Sequence, residues 1–522
     1  MQIDAIAGTP ITKSKIKTFF FNGALMTACS IILRTISVSF NVYIANTAGA
    51  EAVGLYTLLG GVFGFAITLA LSGIHLALTR LVSESMATGD RAQAIKIIKT
   101  AAALAIFFGL LSSVLLFFLS DPLSKHWLLD TRAELPLKIL AISLPFAALS
   151  SVFNGYFTAM RRAYKNAISQ LTEMTVKILF TVFLFSEILK RDAETACIIL
   201  VLGSTFAELC VFFVNLIIYI FDRLRHLRGD SKKERGVVKK ILSISLPVAL
   251  TAYIRSALLS VEHSLIPKGL YKFGGDKSIA LSEYGVLSGM ALPVINFPYA
   301  LIGSFTSLLI PEVAESNAKG CKRHLRYITS RTFQFCLIFA FCVCGIFFVF
   351  SSNLGKLLYN SNDAGNYIRF LSLLVPIMYI DTSTDSILKG MGEQLYCMKV
   401  NIADALLSVI FVSFLVPRYG IIGYIATIYM AEIINTAFSI TRLLSITDFK
   451  FDIKKLIFAP AFCVIGAGAL YYLISHFIFS SNGLLATIIG IAIFVSLYIF
   501  LLRLTYTFSS DDVLWLKSVF KK

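Results

Sequence analysis

The chain has 522 residues, of which 57% are hydrophobic and only 15% are charged, and its formal net charge is +17. A soluble protein of this length needs polar residues to cover its cores, and this chain has too few of them. Its composition therefore excludes a soluble globular protein and predicts a membrane protein. The positive charge is spread over many loops, which argues against a nucleic-acid partner and indicates a membrane-topology signal.

Apolar runs of about 20 residues, the length that crosses about 30 Å of hydrocarbon, recur along the chain. We therefore predict an all-α polytopic membrane protein with about fourteen transmembrane helices. The loops between them are short, and none is long and polar enough to form a separate aqueous domain. In chain order the predicted spans, numbered 1 to 14, cover residues 17–44, 54–80, 95–119, 136–160, 167–187, 195–221, 239–267, 284–311, 328–352, 366–389, 397–416, 421–444, 455–478 and 484–506.

The distribution of the 47 Lys and Arg residues predicts the orientation of the spans. Most of them fall on one side of the membrane if both termini are cytoplasmic, and the densest cluster, from Arg223 to Lys240, joins spans 6 and 7. Because basic loops are retained in the cytoplasm, we predict a multi-pass plasma-membrane protein with both termini cytoplasmic. The same loops would attract anionic lipid headgroups of the bilayer at the inner leaflet.

An internal repeat divides the chain. The pattern Glu-Ser-x-Ala-x-Gly at residues 84–89 returns at residues 315–320, and the same offset carries Pro145 onto Pro376. Parallel repeats of this kind are typical of secondary transporters, in which the substrate binds between two halves that rock about it. The repeat predicts a six-helix first half with a basic linker at residues 1–230, a six-helix second half at residues 231–445, and two additional helices with a cytoplasmic tail at residues 446–522.

Two arginines lie within predicted spans, Arg34 in span 1 and Arg255 in span 7, the opening helix of each half. An ionisable group at mid-bilayer costs at least about 2.5–3.5 kcal/mol, so each one requires a reason. Guanidinium groups bind phosphate through two hydrogen bonds and stay charged in a low dielectric. The pair therefore favours an anionic substrate held between the halves. The alternative is that both arginines only neutralise acids inside the bundle.

Several further charged residues lie in the spans. Glu262 follows Arg255 by two helical turns, with His263 beside it, so Glu262 is a candidate to neutralise the charge of Arg255. Glu173 and Lys177 stand at i,i+4 and are either a self-neutralised pair or part of a ligand site. The repeat places Glu173 opposite Asp404 and Glu208 opposite Glu432. We consider these residues candidates for ion coupling or for the lining of the cavity: Glu173, Lys177, Glu208, Glu262, Asp404 and Glu432.

Span 8 carries two prolines, Pro293 and Pro298, on either side of Asn296. Each proline removes a backbone donor and loosens the helix, so this span is the best candidate for a bent or gating element. Alternatively, the prolines have no role in gating, since membrane helices commonly contain proline.

Spans 13 and 14 lie outside the repeat and contain very few titratable groups. They either pack against lipid or line a groove for an acyl or prenyl chain.

No catalytic constellation is present in the sequence, which contains no P-loop, no nucleophile elbow and no metal-spaced His/Asp/Glu cluster. We therefore expect no enzymatic activity, no cofactor and no ATP-driven transport. Energy would have to come from a Na⁺ or H⁺ gradient, the membrane potential or the gradient of the substrate itself.

Short motifs in both halves resemble the polysaccharide exporter family that includes stage V sporulation protein B. They cover most of the chain and comprise Leu33-Arg34-Thr35, Gly54-Leu55-Tyr56 and Ser72-Gly73-Ile74 in the first half, and Tyr284-Gly285-Val286-Leu287-Ser288-Gly289, Asn296-Phe297-Pro298 and Leu309-Ile310-Pro311-Glu312 in the second. This family is part of the multidrug/oligosaccharidyl-lipid/polysaccharide (MOP) exporter superfamily and is related to lipid II flippases.

The resemblance implies two six-helix lobes in a V, alternating access, and export of a polyprenyl-diphosphate-linked saccharide, such as a peptidoglycan precursor, for spore cortex or cell wall. It also implies that Arg34 and Arg255 bind the diphosphate and that the two additional helices form a groove for the prenyl tail. The chain departs from lipid II flippases in span 2, where an inward arginine is expected and only His75 and the terminal Arg80 are found.

Two other functions are alternatives to the export of a lipid-linked sugar. A cation-coupled multidrug exporter of the same superfamily would bind cationic drugs at the membrane acids, but such exporters usually have twelve spans. A lipid-linked-sugar glycosyltransferase would need a large external loop or an Asp-rich catalytic loop, and the sequence contains neither.

Overall fold

The computed structural model describes residues 13–188, 192–226, 236–447, 452–478, 483–505 and 507. Most of the basic linker and the C-terminal tail lie outside these residues. The described chain is helical and contains no β-strand. Its α-helices are α1 Lys13–Leu71, α2 Ile74–Ala87, α3 Arg91–Pro122, α4 Glu134–Ala159, α5 Ala163–Glu187, α6 Ala193–His226, α7 Val237–Gly274, α8 Lys277–Tyr284, α9 Leu292–Ala318, α10 Lys322–Val349, α11 Ser351–Tyr359, α12 Asn362–Ser372, α13 Val375–Gly390, α14 Gln394–Thr447, α15 Ala459–Ile478 and α16 Leu484–Leu504.

Eleven helical stretches of the described chain are long and apolar enough to cross a membrane. Two of them hold two predicted spans each, because α1 bends at Gly49 and α14 bends at Gly420. Span 10 is divided between α12 and α13, which have 11 and 16 residues. The predicted polytopic helical fold is confirmed, and the helices account for the predicted spans.

Glycine makes the two bends possible. Gly49 has φ 82° and Gly420 has φ 59°, a left-handed conformation that L side chains rarely adopt. At Gly420 a Cβ atom would also lie 2.7 Å from the ring of Phe273. Each pair of spans is therefore joined by a single glycine kink.

Span 2, predicted as one continuous helix, is broken between α1 and α2. Ser72 and Gly73 have φ 45° and 67°, and the helix restarts at Ile74. A Cβ atom at Gly73 would lie 2.9 Å from the carbonyl oxygen of Ser245 in α7. The break thus coincides with a close backbone approach between the two halves, which apolar run length does not reveal.

The helices pack mainly within their own half of the chain. Helices α3 to α6 pack on one another and on α1, whereas α7 packs along α14 and α13 packs on α9, α10 and α14. The main contacts between the halves run from α1 and α2 to α7, α8, α9 and the π-helical turn Gly285–Ala291. The additional helices α15 and α16 pack on each other and on α10, where Phe350, Phe494 and Tyr498 form a separate apolar cluster.

The halves approach each other closely a second time, toward the opposite end of the bundle from Gly73 and Ser245. We call the end at which α1 begins and α16 ends the near end, and the opposite one the far end. Close to the far end, a Cβ atom at Gly54 would lie 2.0 Å from the Leu281 carbonyl oxygen, and one at Gly285 would lie 2.1 Å from the Ala50 carbonyl oxygen. The backbones of spans 2 and 8 therefore touch, and this contact, the glycine seal, joins the halves at the far end.

Candidate functional site

Arg34 lies where the two halves meet. It is half-buried on the first limb of α1, and its Nη2 donates a hydrogen bond of 3.1 Å to the backbone oxygen of Asn296 in α9. It is fifteen residues before Gly49, roughly 22 Å along the helix, which places the guanidinium deep in the bundle. The structure therefore brings an arginine of the first half against the proline-flanked helix of the second.

A cavity of about 290 Å³ surrounds this arginine, and we call it the arginine cavity. Pro293 and Asn296 lie in its wall, so the predicted gating segment borders the same space as Arg34. The π-helical turn Gly285–Ala291 directly precedes this segment. The lining consists of Arg34, Ser37, Val38, Asn41, Thr57, His263, Ser288, Leu292, Pro293, Asn296 and Tyr424.

A larger cavity of about 460 Å³, which we call the carboxylate cavity, adjoins it. It contains Glu173, Lys177 and Glu208 and reaches Val53 and Gly289, beside the glycine seal. The carboxylate cavity is within the range of cavities that bind small molecules, about 300–1,000 Å³, and the arginine cavity is at the lower limit of that range. The two cavities share a wall, since five residues line both: Asn41, Thr57, His263, Ser288 and Pro293.

Lys177 is held by a tyrosine. Its Nζ donates to the Tyr56 hydroxyl at 3.1 Å and lies 5.6 Å from the centre of the Tyr56 ring, and that hydroxyl is 3.1 Å from the Ser204 hydroxyl. Within the described part of the chain, neither Glu173 nor Glu208 has an ion pair or a hydrogen bond. The i,i+4 spacing suggested direct pairing of Glu173 with Lys177, but the lysine contacts Tyr56 instead. Both acids border open space and interact with Lys177 only through the electrostatic field.

Arg255 is placed differently from Arg34. It is exposed on α7 and is not part of the lining of either cavity. Its charge acts on the carboxyl group of Asp404. No ion pair joins it to Glu262 among the residues that the structure describes, because α7 continues unbroken between them and keeps them two turns apart. The structure thus brings one of the two predicted arginines into the cavities.

The acids of the second half form a group of their own. Asp404 and Glu432 interact electrostatically with each other and with Asp381, which accepts a hydrogen bond of 3.2 Å from the Asn435 amide. Asp381 Oδ1, Asn435 Oδ1 and the Thr436 hydroxyl are buried without a hydrogen-bond partner in the described chain. Across the part of the chain that the structure describes, no group of three or more His, Cys, Asp and Glu side chains could hold a metal ion. Glu262 also interacts with Asp404, outside the lining of both cavities.

Two cavity residues, His263 and Tyr56, were not singled out by the sequence. His263 lines both cavities, and its Nδ1 is 2.5 Å from the hydroxyl of buried Tyr284. Its position next to Glu262 was the only hint, whereas Tyr56 stands in the motif Gly54-Leu55-Tyr56. Recognising either residue requires the direction of its side chain, which depends on how the halves pack.

Comparison with known proteins gives the same relationship as the motifs. Residues 21–271 match the family described as polysaccharide biosynthesis protein. Stage V sporulation protein B of Bacillus subtilis (strain 168) is 24% identical over 455 residues, which cover 86% of this chain and 88% of that protein. The predicted resemblance to stage V sporulation protein B is confirmed.

Solved structures share the fold of this chain. The lipid II flippase MurJ in an inward closed conformation superposes with a TM-score of 0.73 at 14% identity, covering 92% of this chain and 99% of that one. An inward-facing multidrug resistance MATE transporter of the MOP superfamily gives a TM-score of 0.59 at 14% identity and covers 81% of this chain and 100% of the transporter. Identities of this size establish the fold alone.

Proposed function

We propose that this protein is a flippase that moves a polyprenyl-diphosphate-linked saccharide from the inner to the outer leaflet by alternating access, in spore cortex or cell wall synthesis. The relationship to stage V sporulation protein B and the fold shared with a lipid II flippase support this proposal. The observation that carries it is the arginine cavity, in which a cation borders open space between the two halves. The substrate would cross the membrane through a conformational change of the protein without being altered chemically, so we propose that the protein is not an enzyme.

Arg34 would bind the diphosphate. In the structure its guanidinium donates a hydrogen bond to a neutral carbonyl oxygen at 3.1 Å. Hydrogen bonds to a charged acceptor are roughly twice as strong as neutral ones, so a diphosphate oxygen would compete well for this donor. Arg255, exposed on the opening helix of the second half, would be the other contact, and the carboxylate cavity would receive the saccharide.

The orientation follows from the basic loops. We place both termini and the near end in the cytoplasm and the far end outside the plasma membrane. In the present conformation the glycine seal then closes the outer side of the cavities. Outward movement of a diphosphate gains roughly 2.3 kcal/mol per charge per 100 mV with a negative interior, so the membrane potential favours export.

Coupling to Na⁺ or H⁺ would use the membrane acids. Glu173 and Glu208 in the first half, and Asp404 and Glu432 in the second, each form a pair of interacting carboxyl groups. Protonation or a bound cation would relieve the repulsion within each pair. The buried oxygens of Asp381 and Asn435 that have no partner in the described chain favour the second half as the coupling site.

A cation-coupled multidrug exporter is the second candidate function. The carboxylate cavity favours it, because Glu173 and Glu208 border open space and could bind a cationic drug. The additional helices α15 and α16, beyond the usual twelve spans, count against it.

Native mass spectrometry of the purified protein with a panel of lipids separates these functions. We expect selective retention of a polyprenyl-diphosphate sugar, a loss of roughly tenfold or more in affinity in Arg34→Ala and Arg255→Ala, and partial retention in Arg34→Lys, which keeps the charge but not the fork. Arg80→Ala is the matched control, since Arg80 is exposed and forms an ion pair with Glu84 on its own helix. Full binding in both alanine variants would refute the site, and binding of cationic drugs in place of these lipids would favour the multidrug exporter.

A further inference from the structure

An apolar groove of about 320 Å³ runs along the junction of the halves, away from the two cavities described above. Span 2 and α3 of the first half form one wall, and α7 of the second half forms the other. Leu119 is 47% exposed, so the groove opens on the outer surface of the bundle. The residues that define it are Phe65, Leu69, Leu116, Leu119, Ala257 and Val261, with Trp127 at its far-end mouth.

The length of the groove matches one leaflet of a bilayer. From Ser112 to Leu123, both in the lining of the groove, the first-half wall rises roughly 16 Å at 1.5 Å per residue. Half of a hydrocarbon core of about 30 Å is about 15 Å. Trp127 and the exposed Tyr271 mark the boundary at the mouth, since tryptophan and tyrosine collect at the membrane interface. The groove therefore has the depth of a single acyl chain in the leaflet at the far end.

Three lysines surround the mouth. Lys268 Nζ lies 5.3 Å from the centre of the Trp127 ring, and Lys272 is one turn further along α7. Lys268 and Lys277 line a neighbouring cavity of about 260 Å³ together with Tyr271. None of the three lysines forms an ion pair in the part of the chain that the structure describes. The carboxylate in this cavity, Asp130, is already bound by Arg132 at 2.9 Å.

Lysines are disfavoured at this end of the molecule. The distribution of basic residues places the far end outside, where the positive-inside rule disfavours them. Lys268 and Lys272 are also like charges at i,i+4, an arrangement that destabilises a helix. Both costs are offset if an anion binds between the lysines.

We infer that the groove and the lysines together bind one anionic phospholipid of the far-end leaflet, with an acyl chain along α7 and the phosphate between Lys268 and Lys277. The bound lipid contacts both halves and therefore favours the conformation in which they meet at the far end. This site is separate from the arginine cavity and does not depend on which substrate the protein transports.

Trp127 allows a direct test, because it is one of only two tryptophans and Trp515 can be replaced. In a Trp515→Phe background, the protein is reconstituted in phosphatidylcholine vesicles with increasing brominated phosphatidylglycerol or brominated phosphatidylcholine. Bromine on the acyl chain quenches tryptophan fluorescence on contact. We expect quenching at lower fractions of phosphatidylglycerol than of phosphatidylcholine, by roughly fivefold for each lysine that binds the phosphate.

Variants distinguish the contacts of the lipid headgroup from those of the acyl chain. In the double variant Lys268→Gln with Lys277→Gln, phosphatidylglycerol and phosphatidylcholine should quench at nearly the same lipid fraction. Lys356→Gln, which removes an exposed far-end lysine away from the groove, should leave the difference between the two lipids unchanged. Ala257→Phe, which fills the groove, should weaken quenching by both lipids.

Three results would overturn the assignment. The first is equal quenching of the parent protein by the two brominated lipids. The second is undiminished quenching in Ala257→Phe. The third is displacement of brominated phosphatidylglycerol by a polyprenyl phosphate at lower concentration than by unlabelled phosphatidylglycerol, because the groove would then be an isoprenoid site.

Discussion

At the scale of single residues, the surroundings of a charged side chain decide which partner it contacts. Arg34 and Arg255 each lie in the opening helix of a half, yet Arg34 borders a cavity and contacts a backbone oxygen, whereas Arg255 is exposed and acts on Asp404. Lys177 shows the same effect, since helical spacing favoured Glu173 but Tyr56 accepts its hydrogen bond. The helix repeat predicts which residues share a face, and only packing decides which neighbour is reached first.

Asp130 provides a prediction about pH. Burial opposes its ionisation, but the hydrogen bond from Arg132 and the charges of Arg132 and Lys277 outweigh burial and lower the pKa of the carboxyl group. Its stabilisation is therefore complete above the ordinary pKa of about 3.9 and is lost as the pH falls through the lowered value. We expect Asp130→Asn to lose about 1.5–3 kcal/mol of stability at pH 7, measured by thermal unfolding in detergent.

The difference between Asp130→Asn and the parent protein should shrink only below about pH 4, where the unfolded chain begins to bind the proton. Asp276→Asn is the control, because Asp276 is an N-cap residue and asparagine caps a helix equally well. A difference that stays constant to the lowest pH at which the protein remains soluble would contradict the role of Asp130.

At the scale of elements, glycines decide how closely the helices approach. The apolar runs predicted where spans lie but not the kink at Gly49 or the break at Ser72–Gly73. At Gly54 and Gly285 the neighbouring backbone occupies the place of a side chain. The two glycines belong to motifs that the sequence analysis identified, and the glycine seal gives a physical reason for their identity.

Replacing Gly285 with Ala should loosen the glycine seal. A new Cβ atom would lie 2.1 Å from the Ala50 carbonyl oxygen, and overpacking of this kind costs about 1–3 kcal/mol. We expect Asn41→Cys, placed in the cavity lining of a variant without the nine native cysteines, to react faster with an impermeant maleimide from the far side.

Gly303→Ala is the matched control for this experiment. Gly303 lies in α9, and a Cβ atom there would have no neighbour within 4 Å. Equal labelling rates in Gly285→Ala and Gly303→Ala would show that the glycine seal does not control access to the cavities.

At the scale of the whole molecule, each half has an ion pair at the same near-end turn, with the charge reversed at the repeat position within that turn. In the first half Arg162 and Lys165 bind Asp222. In the second half Glu393, the repeat position of Arg162, binds Arg442 at 2.8 Å, one helical turn before the repeat position of Asp222. Both pairs fasten the near-end turn between two spans to a third span of the same half, so a similar arrangement is retained although the charges are exchanged.

The two ion pairs should differ in strength because they differ in burial. Asp222 is 5% exposed, so Asp222→Asn should cost about 3–5 kcal/mol, whereas Glu393→Gln breaks a pair that is 40% and 27% exposed and should cost about 1 kcal/mol or less. Thermal unfolding of both variants measures the difference. Reversal of the second pair, Glu393→Arg with Arg442→Glu, should restore the stability that either single reversal loses. Equal losses in the two halves would contradict the role of burial.

The amino-acid sequence by itself determined the membrane-spanning helical class, the spans and the internal repeat, because apolar run length and residue identity act locally along the chain. It also identified Arg34, since a charge in an apolar helix is conspicuous without any structure. Only the tertiary structure decided that Arg34 reaches the cavity while Arg255 does not, that Tyr56 holds Lys177, and that His263 borders both cavities. These contacts depend on the direction of side chains across helices that are distant in sequence, and the close approach of the halves at glycine sets that direction.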